Sequence, residues 1–199
     1  MSDRTTKERI LEAAEGLMLE KSFHSVGLSE ILAAVKVPKG SFYHHFESKE
    51  QFGVELLKHY VAGSTEYKRN LLLSQTPEPD PLQRLLTYLE SNVANVLANH
   101  GRCPCLVVKL SSEVADFSEP MRDVLARGVQ QWTALYEELI QEGISKGVMK
   151  PTLPPALLAP LIVDLWTGAM HRATVTRNVT PLREAITFLK ATLAPNHAK

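Results

Sequence analysis

Residues 38–49 read Pro-Lys-Gly-Ser-Phe-Tyr-His-His-Phe-Glu-Ser-Lys, with small polar, aromatic and basic groups where a core helix would carry leucines. Pro38 suits the start of a helix, where its missing N–H is no loss and its fixed φ is already helical. Phe42 and Phe46 lie four apart and share a face that can anchor the helix, while Ser41, Tyr43, His44 and His45 point elsewhere. Gly40 removes a side chain from the approach face. Ser48 followed by Gln51 is a capping-box signature for a further helix, whose first turn carries Lys49 where a helix N-terminus already favours a phosphate. A helix of barely two turns with this composition is suited to touching DNA rather than to filling a core.

Working outward, Thr5 to Glu20 places Ile10, Leu11, Ala14, Leu17 and Met18 on one helical stripe, and Leu28 to Val35 does the same with Leu28, Ile31, Leu32 and Val35. Lys36 and Val37 leave only a tight connection to the short helix, and Phe52 to Leu73 is a long amphipathic fourth helix. Three short helices with a tight second connection, followed by a long one, is the helix-turn-helix plan. Ser74 to Pro81 holds three prolines in eight residues and is a loop. Beyond it, Leu82 to Ala98, Pro104 to Val114, Glu119 to Lys146, Pro155 to Thr174 and Pro181 to Leu193 each keep helical apolar spacing. The chain is expected to be all-α with about nine helices: a head over residues 1–50, a connecting helix over about 48–73, and a larger bundle within 51–199.

At 199 residues and 44% hydrophobic content the chain can bury a real core, which argues against disorder. The formal net charge is zero, and residues 1–50 hold seven Lys/Arg against eight Asp/Glu, so any DNA affinity must come from local placement. Lys36, Lys39, His44, His45 and Lys49 supply such a cluster. The apolar run Leu157–Val163 is broken by Pro160 and is too short to span a bilayer, and no signal-peptide pattern opens the chain. Two cysteines, Cys103 and Cys105, make no secreted disulfide framework, so a reducing cytoplasm is expected.

The segment Val37-Pro38-Lys39-Gly40-Ser41-Phe42-Tyr43-His44-His45-Phe46, with Ser48-Lys49-Glu50, resembles the signature of the TetR family of bacterial repressors. The likeness is sharp over about residues 7–60 and extends by length and helix count to the whole chain. It implies a DNA-reading unit in the second and third helices, a ligand chamber from the fifth helix onward, and dimerisation through the last two. The family's DNA contacts fall on Lys39, Gly40, Ser41, Tyr43, His44 and Lys49. By their chemistry Tyr43 and Lys49 suit phosphates, and Lys39, Ser41 and His44 suit base edges or groove walls. Two positions depart from the pattern: Gly27 replaces the usual Ser or Thr cap, and Ser29 stands where a basic residue is frequent. Residues 101–122 are further similar to a subgroup of repressors that answer to N-ethylmaleimide and other electrophiles, and to acrylate. That subgroup's sensing cysteine falls on Cys105, but the lysine partnering it falls on Thr174, which counts against a cysteine–lysine crosslink.

If Cys103 caps the sixth helix and Pro104 opens it, Cys105 sits in the first turn near free N–H groups, with Lys109 on the same face and Arg102 close by. Such surroundings stabilise a thiolate. Cys105 as a small buried hydrophobe remains open beside this reading. A metal site from His100, Cys103 and Cys105 lacks a fourth ligand and is not expected. Trp166 and Met170, with Trp132, Tyr136 and His171, are candidate chamber contacts whose alternative is ordinary core. The expectation is a homodimeric repressor of a palindromic operator on double-stranded DNA, released by a small-molecule inducer, with no catalytic residue and no cofactor. An enzyme or carrier using Cys105 as nucleophile is the alternative, and no His with Asn or Asp stands at a spacing that supports it.

Overall fold

The computed structural model describes residues 5–73 and 78–195, and these form nine α-helices with no strand among the described residues. They run α1 Thr6–Glu20, α2 Leu28–Val35, α3 Lys39–His45, α4 Lys49–Leu72, α5 Pro81–Ala98, α6 Leu106–Val114, α7 Glu119–Ser145, α8 Pro155–Thr176 and α9 Thr180–Leu193. The expected all-α class is met. Of the proline-rich loop, Ser74–Pro77 lie outside the described residues.

The helices divide between two compact units. The first takes the chain up to Gly63 together with Cys105–Arg127, and the second takes Ser64–Pro104 together with Gly128 onward. The first unit therefore holds α1, α2, α3, the start of α4, all of α6 and the start of α7.

Within the first unit, α1 begins at a capping box: Glu8 N–H donates to Thr5 Oγ1 at 3.2 Å and Thr5 N–H to Glu8 Oε2 at 2.8 Å. Ile10, Leu11, Ala14 and Met18 are its buried face. The third helix starts at Lys39, with Pro38 as its extended N-cap. At α4, Gln51 N–H donates to Ser48 Oγ at 3.0 Å, but among the described residues Gln51 Oε1 has no partner, so only half of that capping box forms. Phe42, Phe46 and Phe52 are each 1% exposed and pack with ring centroids 4.9 to 5.3 Å apart. This triangle fixes α3 against α4, and each such ring pair adds about 0.5–1.5 kcal/mol beyond its burial.

In the second unit, Asp80 caps α5 by accepting from Leu82 N–H at 2.8 Å, and Pro81 takes the first helical position. Helices α8 and α9 pack together, and α9 also packs on α5. The chain leaves α5 through His100 and Gly101, both with positive φ. Gly101 is required there: a Cβ would sit 3.2 Å from the Arg177 backbone, itself in the left-handed region at the end of α8.

Candidate nucleic-acid interface and sensor helix

The composition of α3 is explained by the two faces it presents. Phe42 turns inward, and Tyr43, at 56% exposure, turns outward with Lys39, Gly40 and His44, while Ser41 is half-buried between them. The Tyr43 ring leans edge-on against Phe42 at 5.4 Å, so its hydroxyl end is presented on a supported ring. His44 and His45 stack edge-on at 5.2 Å in the last turn of the helix.

Lys49 behaves differently from the other five predicted DNA residues. Its Nζ donates to the carbonyls of His24 at 3.3 Å and Val26 at 3.1 Å, and it lies 5.2 Å from the Phe23 ring centroid. The ammonium therefore ties α4 to the connection between α1 and α2. Sequence reading missed this role because the partners lie more than twenty residues away.

The same connection is held from the other side by α6. Glu113 accepts from the backbone N–H groups of Phe23 at 3.1 Å and His24 at 2.9 Å, and from the His24 ring Nδ1 at 2.9 Å. Burial on its own would push its carboxyl up, but these hydrogen bonds outweigh it and hold the group below the usual carboxylate value. One turn earlier, Lys109 Nζ donates to the Leu19 carbonyl near the end of α1. The α6–α7 turn adds Phe117, whose ring lies 4.5 Å from that of His24 and 5.9 Å from that of Phe23. Ser118 Oγ donates to Glu50 Oε1 at 2.7 Å, joining α7 to the first turn of α4.

The expected start of α6 is corrected. Cys105, not Cys103, is the N-cap, and Pro104 lies outside the helix, because Cys105 is extended at φ −114° and ψ 116° and the helix begins at Leu106. The Cys105 side chain makes no capping hydrogen bond; neither cysteine is in a disulfide, and Cys105 is half-buried whereas Cys103 is buried at 8% exposure. The predicted sensor residues separate accordingly: Cys105 and Lys109 belong to the first unit, Cys103, Trp166 and Met170 to the second. Met170 is buried and Trp166 half-buried along α8. Near them in sequence, the hydroxyl of Thr174 is buried with no hydrogen-bond partner among the described residues.

In the second unit Trp132 Nε1 donates to Thr65 Oγ1 at 2.9 Å, and the buried Lys68 ammonium stands 3.6 Å from the Trp132 ring centroid. A separate outer strip of α8 and α9 exposes Leu157, Leu161, Val175 and Phe188. A shallow groove of about 390 Å³ runs there between Asp164, Leu165, Gly168, Arg172, Pro181 and Phe188.

Comparison with known proteins adds to this geometry. Residues 10–56 match the family model described as bacterial regulatory proteins, tetR family, and residues 81–189 match the tetracyclin repressor-like C-terminal domain. The chain is 36% identical over 195 residues to the HTH-type transcriptional repressor NemR of Escherichia coli K12, covering 97% of this chain and 96% of the relative. It is 31% identical over 196 residues to the repressor DhaR of Mycobacterium sp. GP1, covering 98% and 96%. Among solved structures, the reduced form of E. coli NemR superimposes with a TM-score of 0.86 at 34% identity, covering 98% of this chain and all of that one.

Proposed function

The chain belongs to the TetR family of bacterial regulatory proteins, and from that premise we propose a homodimeric repressor whose α3 reads an operator and whose Cys105 releases it on reaction with an electrophile or oxidant. Functionally, residues 1–50 are the DNA-binding head and 51–199 the sensing and dimerising part, although α6 packs within the head's compact unit. Two copies of α3 entering successive major grooves about 34–36 Å apart require a palindromic operator. Lys39, Gly40, Ser41, Tyr43 and His44 supply its recognition surface. Lys49 takes part in phosphate binding with the donor its two carbonyl bonds leave over. The exposed apolar strip on α8 and α9 supports dimerisation through those helices.

The observation that carries the sensing mechanism is the position of α6. It starts at a half-buried thiol outside any disulfide and, over about two turns, holds the end of α1 through Lys109 and the α1–α2 connection through Glu113. Addition of the Cys105 sulfur to an activated C=C bond forms a C–S bond, and solvent returns a proton to the adjacent carbon. The adduct enlarges the N-cap against buried Leu106, Val107 and Val108. A shift of α6 then pulls on the Leu19 carbonyl and the Phe23–His24 turn, and through Lys49 on α4. Release follows because the modified form favours a head geometry that cannot span both half-sites. Trp166 and Met170 are proposed contacts for an inducer before or instead of covalent capture.

A mobility-shift titration with DNA from upstream of the protein's own gene tests this reading. A specific, salt-sensitive shift abolished by N-ethylmaleimide supports it. No specific shift at moderate salt would turn the assignment toward a carrier or enzyme using the same thiol.

A further inference from the structure

The charges of the head are mostly committed internally. Among its described cations, Lys7 pairs with Glu55, Arg9 caps α2 by donating to the Val35 carbonyl at 2.7 Å, Lys21 pairs with Glu30, and Lys49 holds two carbonyls. Lys36 and Lys39 remain: among the described residues neither ammonium has a hydrogen bond or ion pair. Lys39 belongs to the recognition helix already discussed. Lys36 does not, and its backbone is unusual, with φ 56° and ψ 43° as the C-cap of α2.

A left-handed residue at a helix end is the ordinary place for glycine, because a Cβ is crowded there. The turn needs that conformation: Val37 N–H closes onto the Leu32 carbonyl at 3.0 Å, and Pro38 then caps α3. Nothing in the turn needs a long cationic side chain. Lys36 is exposed and lines a shallow charged groove between α1 and the end of α2, with Arg9 and Glu12 on its far wall. A strained backbone position carrying an uncommitted charge, three residues before the recognition helix, is a signature of function rather than of folding.

We infer that Lys36 is a phosphate contact of the DNA-binding head, which holds the sugar-phosphate backbone beside the entrance of α3 and makes good part of the affinity that Lys49 spends internally. The inference rests on the repressor reading above. Being sequence-independent, the contact acts on specific and non-specific duplexes alike.

The test uses the full-length protein, its Lys36→Gly, Lys36→Asn and Lys36→Arg variants, a duplex from upstream of its own gene and a mixed-sequence duplex. Binding is followed by fluorescence anisotropy across a salt series, with thermal unfolding on the same samples. Lys36→Gly and Lys36→Asn, which suit the left-handed backbone, are expected to keep or raise the melting temperature. Both are expected to weaken binding to either duplex by roughly tenfold near 0.1 M salt and to lower the log–log salt slope by about 0.9 per head. Lys36→Arg is expected to bind like the parent. Unchanged affinity and slope in Lys36→Asn would overturn the inference and leave the repressor reading intact, as would an equal loss in Lys36→Arg. A parent that binds neither duplex would overturn both.

Discussion

Glu113 and His24 meet across almost ninety residues of sequence, the carboxylate taking both the backbone N–H and the ring Nδ1 of the histidine at 2.9 Å. With the Phe23 N–H as third donor, one side chain of α6 organises the turn that joins the first two helices of the head. Glu113→Ala leaves those donors without their acceptor, and a loss of about 1–3 kcal/mol in urea-denaturation stability is expected. Glu113→Gln, which keeps one acceptor oxygen, is expected to lose less.

The same carboxylate predicts a pH dependence. Its folded pKa lies below the ordinary value of 4.5, as do those of Glu55, lowered by Lys7 and Lys58, and Glu142, lowered by Lys146 and Arg84 against its burial. Folding therefore binds fewer protons than unfolding in this range, and stability rises with pH. The contribution is fully present above the unfolded value and is lost as pH falls through the lowered pKa values. Denaturation midpoints measured from pH 6 downward should decline on the acid side, and Glu113→Gln should make that decline shallower.

Gly53 on α4 leaves no room for a side chain: a Cβ would lie 2.7 Å from Phe23 Cε2 and 2.8 Å from Met121 Cε. Met121 can swing its terminal methyl aside, but the Phe23 ring is held by Lys49 and Phe117. Gly53→Ala should therefore cost about 1–3 kcal/mol by overpacking, read from chemical denaturation. It should also weaken DNA binding, because Phe23 and Lys49 move together.

Lys39 and Lys49 should separate when each is changed to alanine. Among the described residues the Lys39 ammonium has no partner, so Lys39→Ala should leave stability within about 0.5 kcal/mol of the parent and lower operator affinity. Lys49→Ala removes two carbonyl hydrogen bonds and a ring contact, and should lower both, by about 1–2 kcal/mol in stability. Melting curves and anisotropy titrations on the same preparations check the contrast.

Much of this architecture was legible in local pattern. The capping signature of Ser48 and Gln51, the apolar stripe of α1 and the spacing of Phe42 and Phe46 each report a nearest-turn interaction, so they located the first helices and the short α3. The start of α6 was misread for the same reason. Proline favours a first helical position, and Pro104 was given it, but Cys105 is extended and Leu106, fully buried, opens the helix. The tasks of Lys49 and Glu113 and the membership of α6 in the head's compact unit rest on contacts between distant segments, which periodicity does not encode. Lys36 shows the converse: its type is plain in sequence, but its left-handed backbone is not.

The central claim is that chemistry at Cys105 is transmitted to the DNA-binding head. The most direct measurement is operator affinity of the parent and of Cys105→Ser before and after N-ethylmaleimide, with intact mass read on the same samples. Serine is a good N-cap, so the variant should fold and bind as the parent does. The account predicts a single adduct on the parent with at least about a tenfold loss of affinity, equivalent to about 1.4 kcal/mol. It predicts no loss for Cys105→Ser. Equal release of the variant by the same reagent would contradict it.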